Sequence, residues 1–103
     1  MVLCMSFNDI VYTASYYGKE HHGKKTASGQ KFNMYDMTAA HKSLPFGTKV
    51  KVTNIKNGKS VIVRINDRGP FSKSRELDLS YSAFQQISSI SSGLVKITYE
   101  VVE

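Results

Sequence analysis

Cysteine occurs once in this chain, at Cys4, and proline twice, at Pro45 and Pro70. One cysteine excludes an intramolecular disulfide, and cysteine usage then says nothing about the redox compartment. No apolar run approaches the length of a membrane-spanning helix. Acidic side chains are scarce: eight Asp and Glu stand against fourteen Lys and Arg, for a formal net charge of +6 and a pI near 9.5. A basic domain favours anionic partners such as nucleic acid, a membrane surface or an acidic wall polymer. The helix formers Ala and Leu are sparse, while Val, Ile, Thr, Tyr, Ser and Gly are plentiful, which leans towards β structure. With 103 residues, 41% hydrophobic and 21% charged, the chain suits one globular domain and not two. No repeat or linker interrupts it.

The opening Met1-Val2-Leu3-Cys4-Met5-Ser6-Phe7 lacks a charged leader and a full apolar stretch. It resembles a bacterial lipoprotein cleavage site, except that Leu3 stands where a small residue belongs. Residues 1–10 are therefore expected to be a truncated or extraneous end, and residues 11–103 the folded domain.

Residues 11–17 (VYTASYY) read as a strand. Residues 18–31 are polar, glycine-rich and basic, a long loop of the kind that is either functional or disordered in a small domain. Thr38-Ala39-Ala40-His41 is ambiguous, and Leu44-Pro45-Phe46-Gly47 reads as a turn. Residues 48–54 and 61–66 alternate apolar and polar. Between them Asn57-Gly58 is a favoured central pair of a tight hairpin, because both positions take positive φ. Residues 72–78 read as a polar loop running into Leu77-Asp78-Leu79. Ser80 is placed to cap a short helix burying Ala83, Phe84 and Ile87. In residues 94–102, Val95, Ile97, Tyr99 and Val101 are expected to face inward. Five or six strands and one short helix fit a small closed β-barrel, because closure removes exposed edges.

Asp67 ends the second hairpin strand on the side of Val63 and Ile65, opposite Ile62, Arg64 and Asn66. Two readings are open. Asp before Arg-Gly-Pro commonly anchors a turn. A carboxylate held at a barrel mouth could also act as a general acid, its pKa raised by partial burial; Arg68 beside it works the other way. His41 is either structural or a site residue. The adjacent pair His21-His22 has no metal-ligand spacing to support it. Tyr16, Tyr17, Phe32 and Phe71 flank these polar groups, as core or as surfaces for flat ligands. Asp78 is expected to brace the helix start, where a negative charge suits the dipole.

Seven stretches occur in order: Ala14-Ser15-Tyr16-Tyr17-Gly18, Thr26-Ala27-Ser28-Gly29, Thr38-Ala39-Ala40-His41, Leu44-Pro45-Phe46-Gly47-Thr48, Val52-Thr53-Asn54 with Asn57-Gly58, Arg64 through Phe71, and Asp78-Leu79-Ser80. Together they resemble the rare lipoprotein A family of bacteria, over about Thr13 to Tyr99. The resemblance implies a six-stranded double-psi β-barrel in the cell envelope, in the periplasm or at the outer membrane. It implies a lytic transglycosylase that cleaves peptidoglycan between N-acetylmuramic acid and N-acetylglucosamine and leaves a 1,6-anhydro end. It implies no cofactor, no metal, no nucleic-acid partner and a monomer, with membrane attachment only through a lipid anchor. Asp67 matches the family's catalytic aspartate and His41 a histidine of the same groove. Substrate contacts carry over to Tyr17, Thr26, Ser28, Asn66, Arg68 and Phe71.

One departure stands out. Gln30 occupies a position where the family usually has a glutamate implicated in activity; glutamine keeps the shape but cannot ionise. On this reading Asp67, His41 and Gln30 converge on one groove. Loss of the glutamate's like-charge push on Asp67 is then expected to slow cleavage about a hundredfold, the scale of one acid/base contributor. Asn33, where Asp is frequent, is a milder change. The competing readings are a non-catalytic glycan-binding module of the expansin kind, which Gln30 favours, and single-strand nucleic-acid binding, which the scattered lysines do not.

Overall fold

Alternation of Val50 and Val52 with lysines, and of Val63 and Ile65 with Ile62 and Arg64, makes two strands with one apolar face each. In a computed structural model, which describes residues 10–102, they are β3 (Lys49–Asn54) and β4 (Ser60–Asp67), paired antiparallel from Lys49↔Arg64 to Thr53↔Ser60; β1 (Tyr12–Tyr17) and β2 (Thr38–Ala40) precede them. After them come β5 (Leu77–Ser80), the helix α1 (Tyr81–Ile87) and β6 (Val95–Val101). The six strands close into a barrel in the order β1-β5-β2-β4-β3-β6. The β1–β5 and β2–β4 pairs are parallel and the other four antiparallel. The expected small closed six-stranded β-barrel is the observed fold. The expectations about residues 1–9 and Cys4 fall outside the described residues.

Val50, Val52, Val63, Ile65, Leu77 and Leu79 fill the barrel and are essentially inaccessible to solvent. α1 covers one opening with Ala83, Phe84 and Ile87, as the sequence predicts, and Ser80 Oγ caps it by accepting from the Ala83 N–H at 3.2 Å. Asn54 ties the hairpin to the helix end, donating from Nδ2 to the Ile87 carbonyl at 2.7 Å.

Three expectations change. The hairpin loop is wider than a two-residue turn. The Asn54 N–H donates to the Lys59 carbonyl, and the Asn54 and Asn57 side chains accept from Lys56 N and Lys59 N, so four residues lie between the pair; Gly58 takes φ +76°. Side-chain acceptors stabilise the wider loop. Leu77-Asp78-Leu79 is not the tail of a loop but the heart of β5, between β1 and β2. Val101 is 54% exposed rather than inward, because β6 runs past the core at its end. The basic loop 18–31 folds back on itself, with Phe32 N–H donating to Lys24 O (2.7 Å) and Gly23 N–H to Phe32 O (2.8 Å). Its return strand buries Phe32 against Tyr17, rings stacked 4.5 Å apart.

Candidate functional site

β2 is only three residues long, yet it decides what lies at one barrel mouth. Ala40 pairs with Asp67 on β4 and with Asp78 on β5, so the two carboxylates flank its small side chain. Their backbones lie two strand spacings apart, about 10 Å. The pairing of β2 with β4 slips between Ala39 and Ala40: Ala39 meets Ile65, Ala40 meets Asp67, and Asn66 is passed over. Such a bulge turns a side chain out of alternation. Asn66 is consequently buried, where strict alternation put it outward with Ile62 and Arg64. Its Oδ1 has no hydrogen-bond partner among the described residues.

The mouth opens into a groove of about 780 Å³ whose lining includes Asp67, Asp78, Tyr17, Arg68, Phe71 and Arg75. The turn that follows Asp67 needs glycine: Gly69 has φ +129°, a backbone region closed to most side chains. Beyond it Phe71 stands at the rim, 92% exposed. Asp67 Oδ1 accepts from the Ala27 N–H (2.8 Å) and the Arg68 N–H (2.9 Å). The turn-anchor reading of Asp67 fits these contacts, since Oδ1 ties down the loop and its own turn; Oδ2 has no hydrogen-bond partner among the described residues. Asp78, expected to brace the helix, instead accepts at Oδ1 from Ser15 Oγ and from Arg75 Nη1 at 2.8 Å, because β5 lies beside β1 and not in a loop. It is the site residue the sequence reading missed.

Tyr17 lines the same groove as the two carboxylates. Its hydroxyl is buried and without a partner among the described residues. Burial, and then the negative charges of Asp67 and Asp78, push its pKa above the ordinary phenol range. It stays protonated, a donor facing two acceptors' worth of negative charge.

The structure does not bring the three expected acid/base residues together. The His41 ring is buried and turned away from the groove. Nδ1 accepts from the Ser43 and Leu44 N–H groups, each at 3.0 Å, so the proton lies on Nε2. Nε2 faces Glu76 Oε2 at 3.2 Å and the Tyr99 hydroxyl at 3.1 Å, and Tyr99 donates to the same Glu76 oxygen at 2.5 Å. Burial, followed by the Glu76 hydrogen bond and charge, raises the pKa of Tyr99 as well. His41 reaches Asp67 only through the backbone, its N–H donating to the Asp67 carbonyl at 3.2 Å.

Gln30 also points elsewhere: Oε1 accepts from Arg64 Nη1 at 2.8 Å and from Asn66 Nδ2 at 3.4 Å. Thr26 and Ser28 close the loop, hydroxyl to hydroxyl at 2.9 Å, with the Ser28 N–H donating to Asn66 O. Arg68 Nη1 donates to the Leu44 carbonyl at 2.8 Å, and its guanidinium lies 4.0 Å from the centre of the Phe46 ring. Among the described residues no three His, Cys, Asp or Glu side chains cluster as a metal site.

His41→Ala strips two backbone N–H groups of their acceptor and Glu76 of one of its two donors. It is expected to lower unfolding free energy by about 1–3 kcal/mol, read from denaturant melts. Tyr17 and Tyr99 hold protons in the folded chain that the unfolded chain releases near pH 10. Stability is therefore unaffected by these groups at neutral pH and falls as pH rises past that point. Tyr17→Phe is expected to match the parent's stability at pH 7 and to lose less of it between pH 9.5 and 11; an unchanged alkaline slope would contradict the assignment.

Residues 10–99 match the model of a protein family described as lytic transglycolase. The chain is 53% identical over 90 residues to a probable endolytic peptidoglycan transglycosylase RlpA of Synechocystis, covering 87% of this chain and 28% of that protein. It is 52% identical over 89 residues to the endolytic peptidoglycan transglycosylase RlpA of Vibrio cholerae, covering 86% and 34%. The chain thus spans about a third of the length of these curated relatives. Among solved structures, Streptomyces papain inhibitor superposes with a TM-score of 0.74 at 23% identity, covering 91% of this chain and 94% of that one. An aspartate-to-asparagine variant of Clavibacter michiganensis expansin in complex with cellohexaose superposes at 0.71 and 22%, covering 91% and 51%. Those two likenesses concern the fold. The family match and the identities concern descent, and by them the chain belongs to the RlpA-like lytic transglycolase family, whose barrel it forms.

Proposed function

We propose that the groove binds peptidoglycan glycan and cleaves it as an endolytic transglycosylase, with Asp67 as the acid and then the base. The observation that carries this is the asymmetry of the Asp67 carboxylate. Oδ1 is fixed by two backbone donors, and Oδ2 is left for the groove, with the neutral Tyr17 hydroxyl nearby.

A hydrolase of the common kind uses two carboxylates, one for the leaving oxygen and one for water or the sugar. Formation of a 1,6-anhydro product needs only one. Asp67 Oδ2–H gives its proton to the glycosidic oxygen as the C1–O4 bond breaks. The 6-hydroxyl of the same N-acetylmuramic acid attacks C1, and its proton returns to the Asp67 carboxylate. Atoms balance without water. The charge developing on the sugar ring is positive, and Asp78 across Ala40 is a negative group on the far side of the groove. Phe71, exposed at the rim, offers its ring to the sugars. Residues 11–103 act here as one barrel domain, as a monomer, in the bacterial cell envelope and within it the periplasm.

His41 and Gln30 change role on this reading. His41 is a positioning residue: its ring holds the 41–44 turn, and its N–H holds the strand end that carries Asp67. Gln30 braces Arg64 and Asn66. A glutamate there would meet Arg64 at ion-pair distance, so its charge would be compensated and would push little on Asp67. The expected hundredfold effect of the missing glutamate shrinks accordingly.

Digestion of peptide-stripped peptidoglycan, followed by mass spectrometry for 1,6-anhydro-muramyl ends, tests the proposal. Asp67→Asn is expected to abolish the product while glycan binding persists. Gln30→Glu is expected to change turnover by less than about tenfold, the effect of one unit of pKa. The expansin solved with cellohexaose favours a second reading, a glycan-binding module that does not cut. That reading wins if neither the chain nor its Gln30→Glu variant forms any anhydro end yet both bind the glycan.

A further inference from the structure

A second hollow, of about 640 Å³, adjoins the groove, with Tyr16 and Glu20 lining both. Its walls are aromatic: Tyr16, Tyr35 and Tyr81. Tyr16 and Tyr81 meet edge to face, 6.0 Å between centres, and Tyr16 packs on buried Phe84 at 4.9 Å, so that wall is rigid. Tyr35 forms the other side and is 64% exposed.

Exposure of one tyrosine needs no explanation by itself. What distinguishes Tyr35 is how firmly its backbone is held. The Tyr35 N–H donates to Asn33 Oδ1 at 2.9 Å, and the preceding Met34 N–H donates to His22 Nδ1 at 3.2 Å. The Met34 carbonyl accepts from Ser82 N on α1 at 3.0 Å, and the Met34 side chain is buried. The His22 ring stands edge-on to Tyr35, 5.9 Å between centres. Gly18, which also lines the hollow, leaves the Tyr16 and Tyr81 rings uncovered: a Cβ there would touch both at 3.9 Å. Lys19 and Glu20 edge the hollow with a donor and an acceptor.

We propose that this hollow is a distal sugar subsite, in which Tyr35 is a specificity-determining platform for a pyranose ring two or more units along the strand from Asp67. The inference rests on the reading of the groove as a glycan groove and extends it. Sugar rings are apolar on their faces and polar at their edges. A held aromatic ring with charged groups at its margin matches that pattern. Phe71 lines the main groove together with the two carboxylates. A polymer laid across Phe71 and Tyr35 is gripped at two separate aromatic contacts, which favours internal bonds over chain ends. The occupant is thus a peptide-free stretch of β-linked N-acetylated sugar. A peptide or a nucleobase would find the same ring but not a groove continuous with Asp67 and Asp78.

The test measures binding of a peptide-free wall-glycan fragment of six sugars by calorimetry to the intact chain and to Tyr35→Ala and Tyr35→Phe. Tyr35 is a surface side chain, so both variants should fold, which near-parental unfolding midpoints would verify. Tyr35→Ala is expected to weaken binding about fivefold, the worth of one aromatic contact. Tyr35→Phe keeps the ring and is expected to stay within about twofold of the parent. In the intact chain the fragment should shift the Tyr35 ring proton signals. Equal affinity for Tyr35→Ala and the parent overturns the subsite while leaving the glycan groove standing. Failure of the parent itself to bind the fragment overturns the glycan reading, and the subsite with it.

Discussion

Ala40 is paired on both edges, parallel to β4 and antiparallel to β5, and the register at that residue fixes the rest of the site. Asp67 faces it on one side and Asp78 on the other. The one-residue slip on β4 is essential. Without it Ala40 would meet Asn66, and an amide instead of a carboxylate would end the strand at the mouth. Thr38, Ala39 and Ala40 are all buried, so β2 cannot slide to another register without exposing small apolar groups or burying the polar groups on either side. The Ala27 N–H to Asp67 contact then fastens the basic loop to the same point. Loop, strand end and groove are thus one mechanical unit. Its lower half is the His41 ring, whose two backbone acceptances and Glu76–Tyr99 contacts hold the 41–44 turn beneath Asp67.

The parts that could be read from sequence are those with a local period or a local cap. Val50, Val52, Val63 and Ile65 alternate over enough residues to fix two strands, and Ser80 with Ala83, Phe84 and Ile87 fixes the helix. β2 and β5 have three and four residues, too short for a period, and both make parallel pairs whose partners are distant in sequence. Asp78 was misread for that reason: its function depends on β5 lying beside β1, which nothing near residue 78 announces. Asp67 was legible because it ends a long alternating strand. Asn66 was not, because a bulge inverts alternation without a mark of its own. The direction of His41 had a signal, the Ser-Leu-Pro turn after it, whose N–H groups needed an acceptor. Tyr35 had one too, in Asn33 two residues before it, since asparagine commonly accepts from the backbone two positions on.

The charge of the molecule divides into two populations with different work. The guanidiniums nearest the site are all occupied. Arg64 holds Gln30, Arg68 holds the Leu44 carbonyl and covers Phe46, and Arg75 pairs with Asp78. Their fixed geometry shapes the groove and neutralises part of its negative charge. The lysines of the loop, Lys24, Lys25 and Lys31, are exposed, and exposed charges act at a distance within the screening length of the salt. Attraction of any anionic surface to the loop face would therefore be long-ranged and salt-sensitive. On the proposed function, selection of a sugar at the groove rests instead on aromatic faces and one carboxylate oxygen, which act at short range. On that same proposal, the net charge of +6 describes how the chain would find an anionic surface, whereas what it would do there is set by the bulge at Asn66 and the side chains that register exposes.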